Sequence, residues 1–341
     1  MILLSDAAKA LDAKLLGNDL AFGAVTINGR EDCTDALFVA LKGENFDAHD
    51  YVQQASDAGA SAALVSRPVE VDIPQLLVTD TQSAFTALAA WWRAKFSLPI
   101  VAITGSVGKT TVKQMLVSIA SVEHETLGTH GNLNNEIGVP LTLMRLNSDH
   151  RFAVIELGMN HAGEISRLTR LVKPNVALLN NAAAAHLEGL GSLEAIAAAK
   201  GEIFEGLDAD GTAVVNLDDS FAAYWMDLVG EHRVITFGLA SHADVTADWQ
   251  QHGNSISIRL KLSNRFVDFD MPGRGEHLVQ NALAAAAAAH ASGIGIDAIK
   301  TGLERFSAPS GRQQFHQVGD LTVIDDTYFK SIRTQASTLH C

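Results

Sequence analysis

Residues 99–120, PIVAITGSVGKTTVKQMLVSIA, are the stretch whose reading decides the fold. The run Ile100, Val101, Ala102, Ile103 is apolar and rich in β-branched side chains, which suits a buried strand. Thr104, Gly105, Ser106, Val107, Gly108, Lys109, Thr110 and Thr111 follow, and then Val112, Met115, Leu116 and Ile119 recur at the i, i+3, i+4, i+7 spacing of a helix. Strand, glycine loop and helix in that order make a phosphate cradle. Backbone N–H groups at a helix start are unpaired, the helix dipole is positive there, and glycine lets the chain approach an anion closely. Lys109 is expected to reach the outer phosphates and the Thr110 hydroxyl to sit on Mg²⁺. The loop is the short G-x-x-G-K-T form, because Ile103 stands where the general pattern asks for its first glycine. The competing reading is a glycine-rich turn with an exposed lysine; the strand before and the amphipathic helix after argue against it.

The chain has 341 residues, 47% of them hydrophobic, enough for two or three domains with cores of their own. A formal net charge of −14 argues against general nucleic-acid or membrane-surface binding, since no excess of Lys and Arg exists to neutralise phosphates. A local basic site for one nucleotide is compatible with it. Two cysteines, Cys33 and Cys341, make neither a disulfide framework nor a zinc cluster. The opening MILLSDAAKALDAK meets acid and lysine too early for a secretory signal. The alanine run 284–289 is far shorter than the roughly 20 apolar residues a membrane span needs. A soluble, cytoplasmic protein is expected, and a monomer.

Working outward, 98 to about 306 alternates strands and helices, which predicts a largely parallel α/β sheet covered on both faces. The strands are expected at VAIT (101), FAVIEL (152), VALLNN (176), TAVVNL (212) and VITFG (234), and the helices at 136–146, 163–172, 192–207, 219–230, 276–292 and 296–306. Residues 244–271 alternate apolar and polar around His252-Gly253-Asn254 and predict an antiparallel hairpin. Before this region, 1–97 mixes both element types. Strands are expected at 36–41, 61–65 and 76–78, and helices at 47–59 and 81–96. The loops 26–30 and 42–49 are dense in hydrogen-bonding groups, as binding loops and solvated turns both are. Residues 307–311 read as a linker.

Ligands of an open parallel sheet sit beyond the carboxyl ends of its strands. Glu156 ends the strand at 152, and His186 follows the strand at 176 after four alanines. Alone, each is equally at home as a capping acid or a structural histidine; their shared sheet edge favours a site, where a carboxylate would ligate Mg²⁺. Lys200 shares one helix face with Leu193, Ile196, Ala197, Ile203 and Phe204. Burial there would favour its neutral amine, which can take up CO₂ as a carbamate; a lysine snorkelling from the stripe's margin has the same periodicity. Asn134 and Asn135, in THGNLNNEIGVP, suit a turn as well as a polar substrate contact.

Together, ITGSVGKTTVK (103–113), GNLNNEIGVPLTL (131–143), AVIELGMNHAGEI (153–165), NNAAAAHLEGLGSLEAIAAAKGEIF (180–204) and NALAAAAAA (281–289) resemble the Mur ligase family, ATP-dependent amide-forming enzymes of peptidoglycan precursor synthesis. The resemblance implies a mixed α/β UDP-sugar-binding domain over 1–97 and a central ATP-binding ligase domain over 98–310. Residues 311–341 would be a linker and the stub of a C-terminal Rossmann-like domain. Within the family the blocks are most similar to the type that joins D-alanyl-D-alanine to UDP-N-acetylmuramoyl-tripeptide through an acyl phosphate. Roles implied by position put ATP phosphates on Gly105–Thr111, one Mg²⁺ on Thr110 and Glu156, and a second on His186 and a carbamylated Lys200. Asn281 is implied for adenine, and Arg312 and Asp326 for holding ATP. Arg30, Lys42, Asn45, Asp47 and His49 are implied for the UDP-sugar, with Asn134 and Asn135 facing substrate.

Two departures stand out. The family's aspartate-serine-arginine segment is Asn28-Gly29-Arg30 here, so only Arg30 carries over. After Asp325-Asp326-Thr327-Tyr328 the chain leaves the family pattern, reading Phe329-Lys330-Ser331-Ile332-Arg333 and ending at Cys341. An absent C-terminal domain is therefore expected, and a chain that binds its UDP-substrate but ligates poorly. The alternatives are a relative that adds a single amino acid or extends folate with glutamate, and a nucleotide-binding switch; the Asn-Lys-x-Asp guanine motif of the latter does not occur.

Overall fold

The apolar run ahead of the glycine loop forms the strand Ile100–Thr104, buried at every residue in the computed structural model. The structure describes residues 1–184, 190–240 and 242–307 and the paired strands Gln314–Val318 and Leu321–Asp325. Side chains of a strand alternate between faces, and here each face meets its own core. Ile100 and Ala102 join one apolar cluster, whereas Val101 and Ile103 join another.

The strands Thr126–Gly128, Phe152–Glu156, Ile100–Thr104, Val176–Leu179, Thr212–Asn216 and Arg233–Phe237 lie side by side in that order, all parallel. Ile100–Thr104 is the first of these in sequence after residue 98, yet it lies inside the sheet with later strands on both sides. The order reverses there, and the crevice that opens at such a point is where α/β sheets bind ligands. Helices Lys109–Ala120, Glu276–Ala291 and Ile296–Glu304 cover one face. Gly138–Met144, Glu164–Val172, Leu193–Gly201 and Ala222–Val229 cover the other. The alanine run 284–289 is fully buried. It lies in the middle of its helix, which packs against the sheet and, side by side, against Lys109–Ala120.

Three expectations need correction. The hairpin over 244–271 is a three-stranded antiparallel meander, Val245–His252, Ser255–Leu262 and Arg265–Pro272, joined to the parallel sheet at Phe237 and Val245. Its second turn has no glycine: Ser263 itself takes the left-handed conformation, φ +54°. The helix at 47–59 is a 3₁₀ turn, Ala48–Tyr51, followed by Val52–Asp57. The helix at 192–207 is α-helical only over Leu193–Gly201 and then tightens into a 3₁₀ segment, Glu202–Gly206. The linker expected at 307–311 lies, but for Ser307, outside the described residues.

A second sheet occupies the N-terminal part, in the order Lys14–Leu16, Gln75–Leu77, Ala62–Val65, Ala36–Val39, Ala24–Thr26, parallel except for the first pair. Thr81–Arg93 joins it to the central sheet. Asp80 caps this helix by accepting from the Ser83 N–H, and Phe85, Leu88 and Ala89 are fully buried in a cluster that takes in residues of both sheets. Its polar groups also cross the joint. Thr81 Oγ1 donates to the Ala40 carbonyl (2.9 Å) and Trp92 Nε1 to the Leu146 carbonyl (3.0 Å). Arg93 donates to the carbonyls of Val172 (2.9 Å) and Lys173 (3.1 Å). Truncating the shared aromatic, Phe85→Ala, is expected to cost about 3–5 kcal/mol. Urea unfolding followed by tryptophan fluorescence should show the loss in one transition, because the cavity opens in a core common to both sheets.

Candidate active site

The glycine loop connects Ile100–Thr104 to Lys109–Ala120. Gly108 sits at φ +81°, where a side chain is strained, and a Cβ there would strike Asn281 Oδ1 and lie 2.7 Å from Asn180 Nδ2. The loop is held from the neighbouring strand's end. Asn181 Oδ1 accepts from the N–H groups of Ser106 (3.1 Å) and Val107 (3.0 Å). Asn180 Nδ2 donates to the Val107 carbonyl (3.0 Å) and reaches Asn281 Oδ1 (3.3 Å). Ser106 Oγ donates to the Ala183 carbonyl (3.0 Å) and accepts from the Ala183 N–H (2.9 Å). The short loop thus takes part of its scaffolding from carboxamides outside itself. The first-turn N–H groups of the helix, at Lys109, Thr110 and Thr111, have no intrahelical acceptor and suit an anion. Lys109 Nζ folds back on the carbonyls of Gly105 (2.7 Å) and Ser106 (3.3 Å).

Glu156 ends its strand in register with Ile103, directly beside the loop strand, and is 1% exposed. A buried carboxylate needs donors, and it has them. Thr110 Oγ1 donates to Oε2 (2.9 Å), Asn134 Nδ2 donates to Oε1 (2.8 Å), and Lys113 Nζ lies 3.5 Å from Oε2. Thr129 Oγ1 accepts from the Glu156 backbone N–H (2.9 Å). The asparagine pair divides its work: Asn134 faces the carboxylate, whereas Asn135 Oδ1 closes the turn leading into Gly138–Met144 by accepting from the N–H groups of Ile137 (3.2 Å) and Gly138 (2.9 Å). Asn135 is thus committed to its own backbone. Sequence reasoning passed over Asn180, Asn181 and Lys113. Lys113 was findable, since it falls three residues after Thr110 and three before Leu116, on a buried stripe. Among the described residues no group of three His, Cys, Asp or Glu gathers. One carboxylate and one hydroxyl beside a phosphate loop suit a hard, partly hydrated cation such as Mg²⁺, which takes its other ligands from phosphate and water.

Lys200 is 2% exposed, on the helix that Ser192 caps. Burial first, and the charge of Lys109 second, hold its ammonium well below the usual lysine value of 10.5. His186, Arg312 and Asp326 lie outside the described residues. Arg30, Lys42 and Asn45 are exposed on two loops that follow the adjacent parallel strands Ala24–Thr26 and Ala36–Val39, hence on the same sheet edge. Asp47 is half-buried beside them. His49 is buried with both ring nitrogens engaged: Nε2 accepts from the Ser66 N–H (2.8 Å), so Nδ1 carries the proton toward Asp47 Oδ1. Its contribution there is to hold Asp47. The start of the joint helix ties this edge to the other site, since Thr81 bonds Ala40 and Gln82 Nε2 donates to the Glu136 carbonyl (3.4 Å), next to Asn135. A cleft of about 390 Å³ between Ala24, Val25, Leu127 and Met144 shares no lining residue with the loop or the Glu156 cluster.

Two outcomes follow from this geometry. Asn181→Ala leaves the Val107 N–H without its acceptor and the Ser106 N–H with only the Asn181 backbone carbonyl, and should weaken ADP binding roughly tenfold, equivalent to about 1.4 kcal/mol, as read by calorimetric titration. Lys200→Met should alter the pH dependence of stability. Because the folded-state pKa is depressed, the unfolded chain binds more protons between that lowered value and 10.5, so stability rises with pH across the window. Urea midpoints from pH 7 to 10 should rise less steeply in the variant, and its gain in stability should be largest at the low end.

Comparison with known proteins gives the same picture from outside. Residues 22–90 match the Mur ligase family catalytic domain, and 103–289 match the Mur ligase middle domain. The UDP-N-acetylmuramoyl-tripeptide–D-alanyl-D-alanine ligase of Escherichia coli K12 is 44% identical over 343 residues, covering 99% of this chain and 75% of that protein. A crystal structure of MurF from Acinetobacter baumannii superposes with a TM-score of 0.89 at 37% identity, over 95% of this chain and 72% of that one. MurF ligase from Thermotoga maritima in complex with ADP superposes with a TM-score of 0.77 at 26% identity, over 89% and 71%. With the phosphate loop, the switch-point crevice and the buried carboxylate in their places, the chain belongs to the Mur ligase family.

Proposed function

We propose that this chain serves an ATP-dependent ligase that joins D-alanyl-D-alanine to UDP-N-acetylmuramoyl-tripeptide in peptidoglycan precursor synthesis. The observation that carries the reading is the phosphate loop set against the buried Thr110–Glu156 pair, in a chain 44% identical to the Escherichia coli ligase of that name. In the reaction, a carboxylate oxygen of the tripeptide attacks the γ-phosphorus of ATP, and ADP leaves. The free amine of D-alanyl-D-alanine then attacks the acyl carbon, and phosphate departs as the amide forms and the amine gives up its proton.

Two anions must meet in the first step, so positive groups have to stand ready. The N–H groups of Gly108, Lys109, Thr110 and Thr111 would take phosphate oxygens, and Lys109 would exchange its loop carbonyls for the outer phosphates. Thr110 and Glu156 would hold Mg²⁺, which supplies charge neutralisation between the two anions when bound. A second Mg²⁺ at His186 and Lys200 belongs to the same reading, with Lys200 as a carbamate. The support for that carbamate is a buried lysine whose ammonium form is disfavoured by burial and by Lys109; the neutral amine is the form that adds CO₂ and releases a proton. Asn281 is proposed for adenine and Arg312 and Asp326 for ATP. Arg30, Lys42, Asn45 and Asp47, with His49 behind Asp47, are proposed for the UDP-sugar, and Asn134 for the approach to the carboxylate. A monomer working in the cytoplasm fits the reading; no described helix is long and apolar enough to cross a membrane.

Calorimetric titration with UDP-N-acetylmuramoyl-tripeptide tests it. Saturable binding to one site is expected, weakened by Arg30→Ala. A folded chain that shows no heat of binding would overturn the substrate assignment.

A further inference from the structure

Lys113 is among the largest fully buried side chains described, and its head group is aimed at two groups of the site rather than at the core. Its Nζ donates to the Gly131 carbonyl at 3.0 Å and lies 3.5 Å from Glu156 Oε2. Thr110, one turn earlier on the same helix, donates to that same oxygen, and Asn134, in the segment that contains Gly131, donates to the other. Three stretches of chain that are far apart in sequence thus meet at one carboxylate: the helix after the phosphate loop, the end of a neighbouring strand, and the 129–135 segment. The fold alone would be served by an apolar side chain of similar volume, which carries no desolvation cost. What lysine adds is a donor to the segment and a charge beside the carboxylate at the same time.

We propose that Lys113 is a positioning residue for the cation site. It pins the 129–135 segment to the strand Phe152–Glu156 and so fixes the direction in which Glu156 is presented to the metal that accompanies the nucleotide. This rests on the reading of the loop as a nucleotide site. Groups that orient a metal-binding side chain typically change metal affinity 10- to 100-fold when removed, so Lys113→Met should weaken Mn²⁺·ADP binding at least roughly tenfold. Lys113→Arg, which keeps charge and donors, should recover part of the loss.

The experiment measures Mn²⁺·ADP binding and backbone hydrogen exchange on the unaltered chain and both variants. In the ligand-free Lys113→Met protein, exchange should quicken over 129–137 and stay unchanged in the N-terminal sheet. Unaltered exchange at 129–137, or unaltered Mn²⁺·ADP affinity, would overturn the proposal. Should Lys113→Met fail to fold, lysine-selective ¹⁵N resonance spectra of the unaltered chain decide. The Lys113 ammonium signal should shift on adding Mg²⁺·ADP and not on adding ADP with a chelator; a signal that does not move overturns the proposal. Failure of the unaltered chain to bind Mn²⁺·ADP would overturn the nucleotide reading and this one with it, whereas full affinity in Lys113→Met would overturn this one alone.

Discussion

A carboxylate removed from water must be surrounded by donors, and Glu156 is the group whose demand organises this part of the molecule. Its side-chain partners come from the helix after the loop, through Thr110 and Lys113, and from the 129–135 segment, through Asn134. A buried ion pair of this kind adds little net stability compared with apolar packing, while breaking it leaves an uncompensated charge. The arrangement therefore constrains the chain more than it strengthens it. Thr110 must sit on the first turn of its helix, the glycine loop must end where it does, and the strand carrying Glu156 must lie next to Ile100–Thr104.

The same logic of supplied partners explains the loop. The loop leans on Asn180 and Asn181, from the end of a neighbouring strand, and Asn180 is in turn backed by Asn281 from a helix on the covered face. The conformation is therefore set by tertiary structure before any anion arrives, and the ordering cost is met in folding rather than in binding. Lys109 rests on the carbonyls of that preset loop, at Gly105 and Ser106.

Much of this was legible beforehand. The strand–loop–helix stretch announces itself because hydrophobic period changes from strand to helix within a dozen residues, and Glu156 could be placed at the ligand edge because it is the last residue of an apolar run. Resemblance extended that to loops whose roles no periodicity reveals. What escaped has physical causes. Asn180 and Asn181 read as the polar end of the strand at 176, since a carboxamide that braces a loop and one that merely closes a strand look alike in sequence. Lys113 was overshadowed by Lys109, although its phase on the helix put it inside. The third strand of the meander was hidden by a turn at Ser263 that lacks the usual glycine. The strand Thr126–Gly128 is three residues long and has no pattern to show. Asn134 and Asn135 could not be told apart until the helix they precede was seen.

The alanine run at 284–289 has a further significance. Over this run the helix has only methyl groups as side chains, lies close against the sheet and against Lys109–Ala120, and has no long side chain whose rotamer could absorb a displacement there. Asn281 sits on the same rigid rod, just ahead of the run, with its carboxamide against Gly108. The helix therefore works as a spacer gauge: the thickness of a methyl layer, set well away from the loop, fixes how deep Asn281 reaches beneath it. Variation in that layer would be felt as a change in the shape of the phosphate cradle, with every residue of the cradle itself intact.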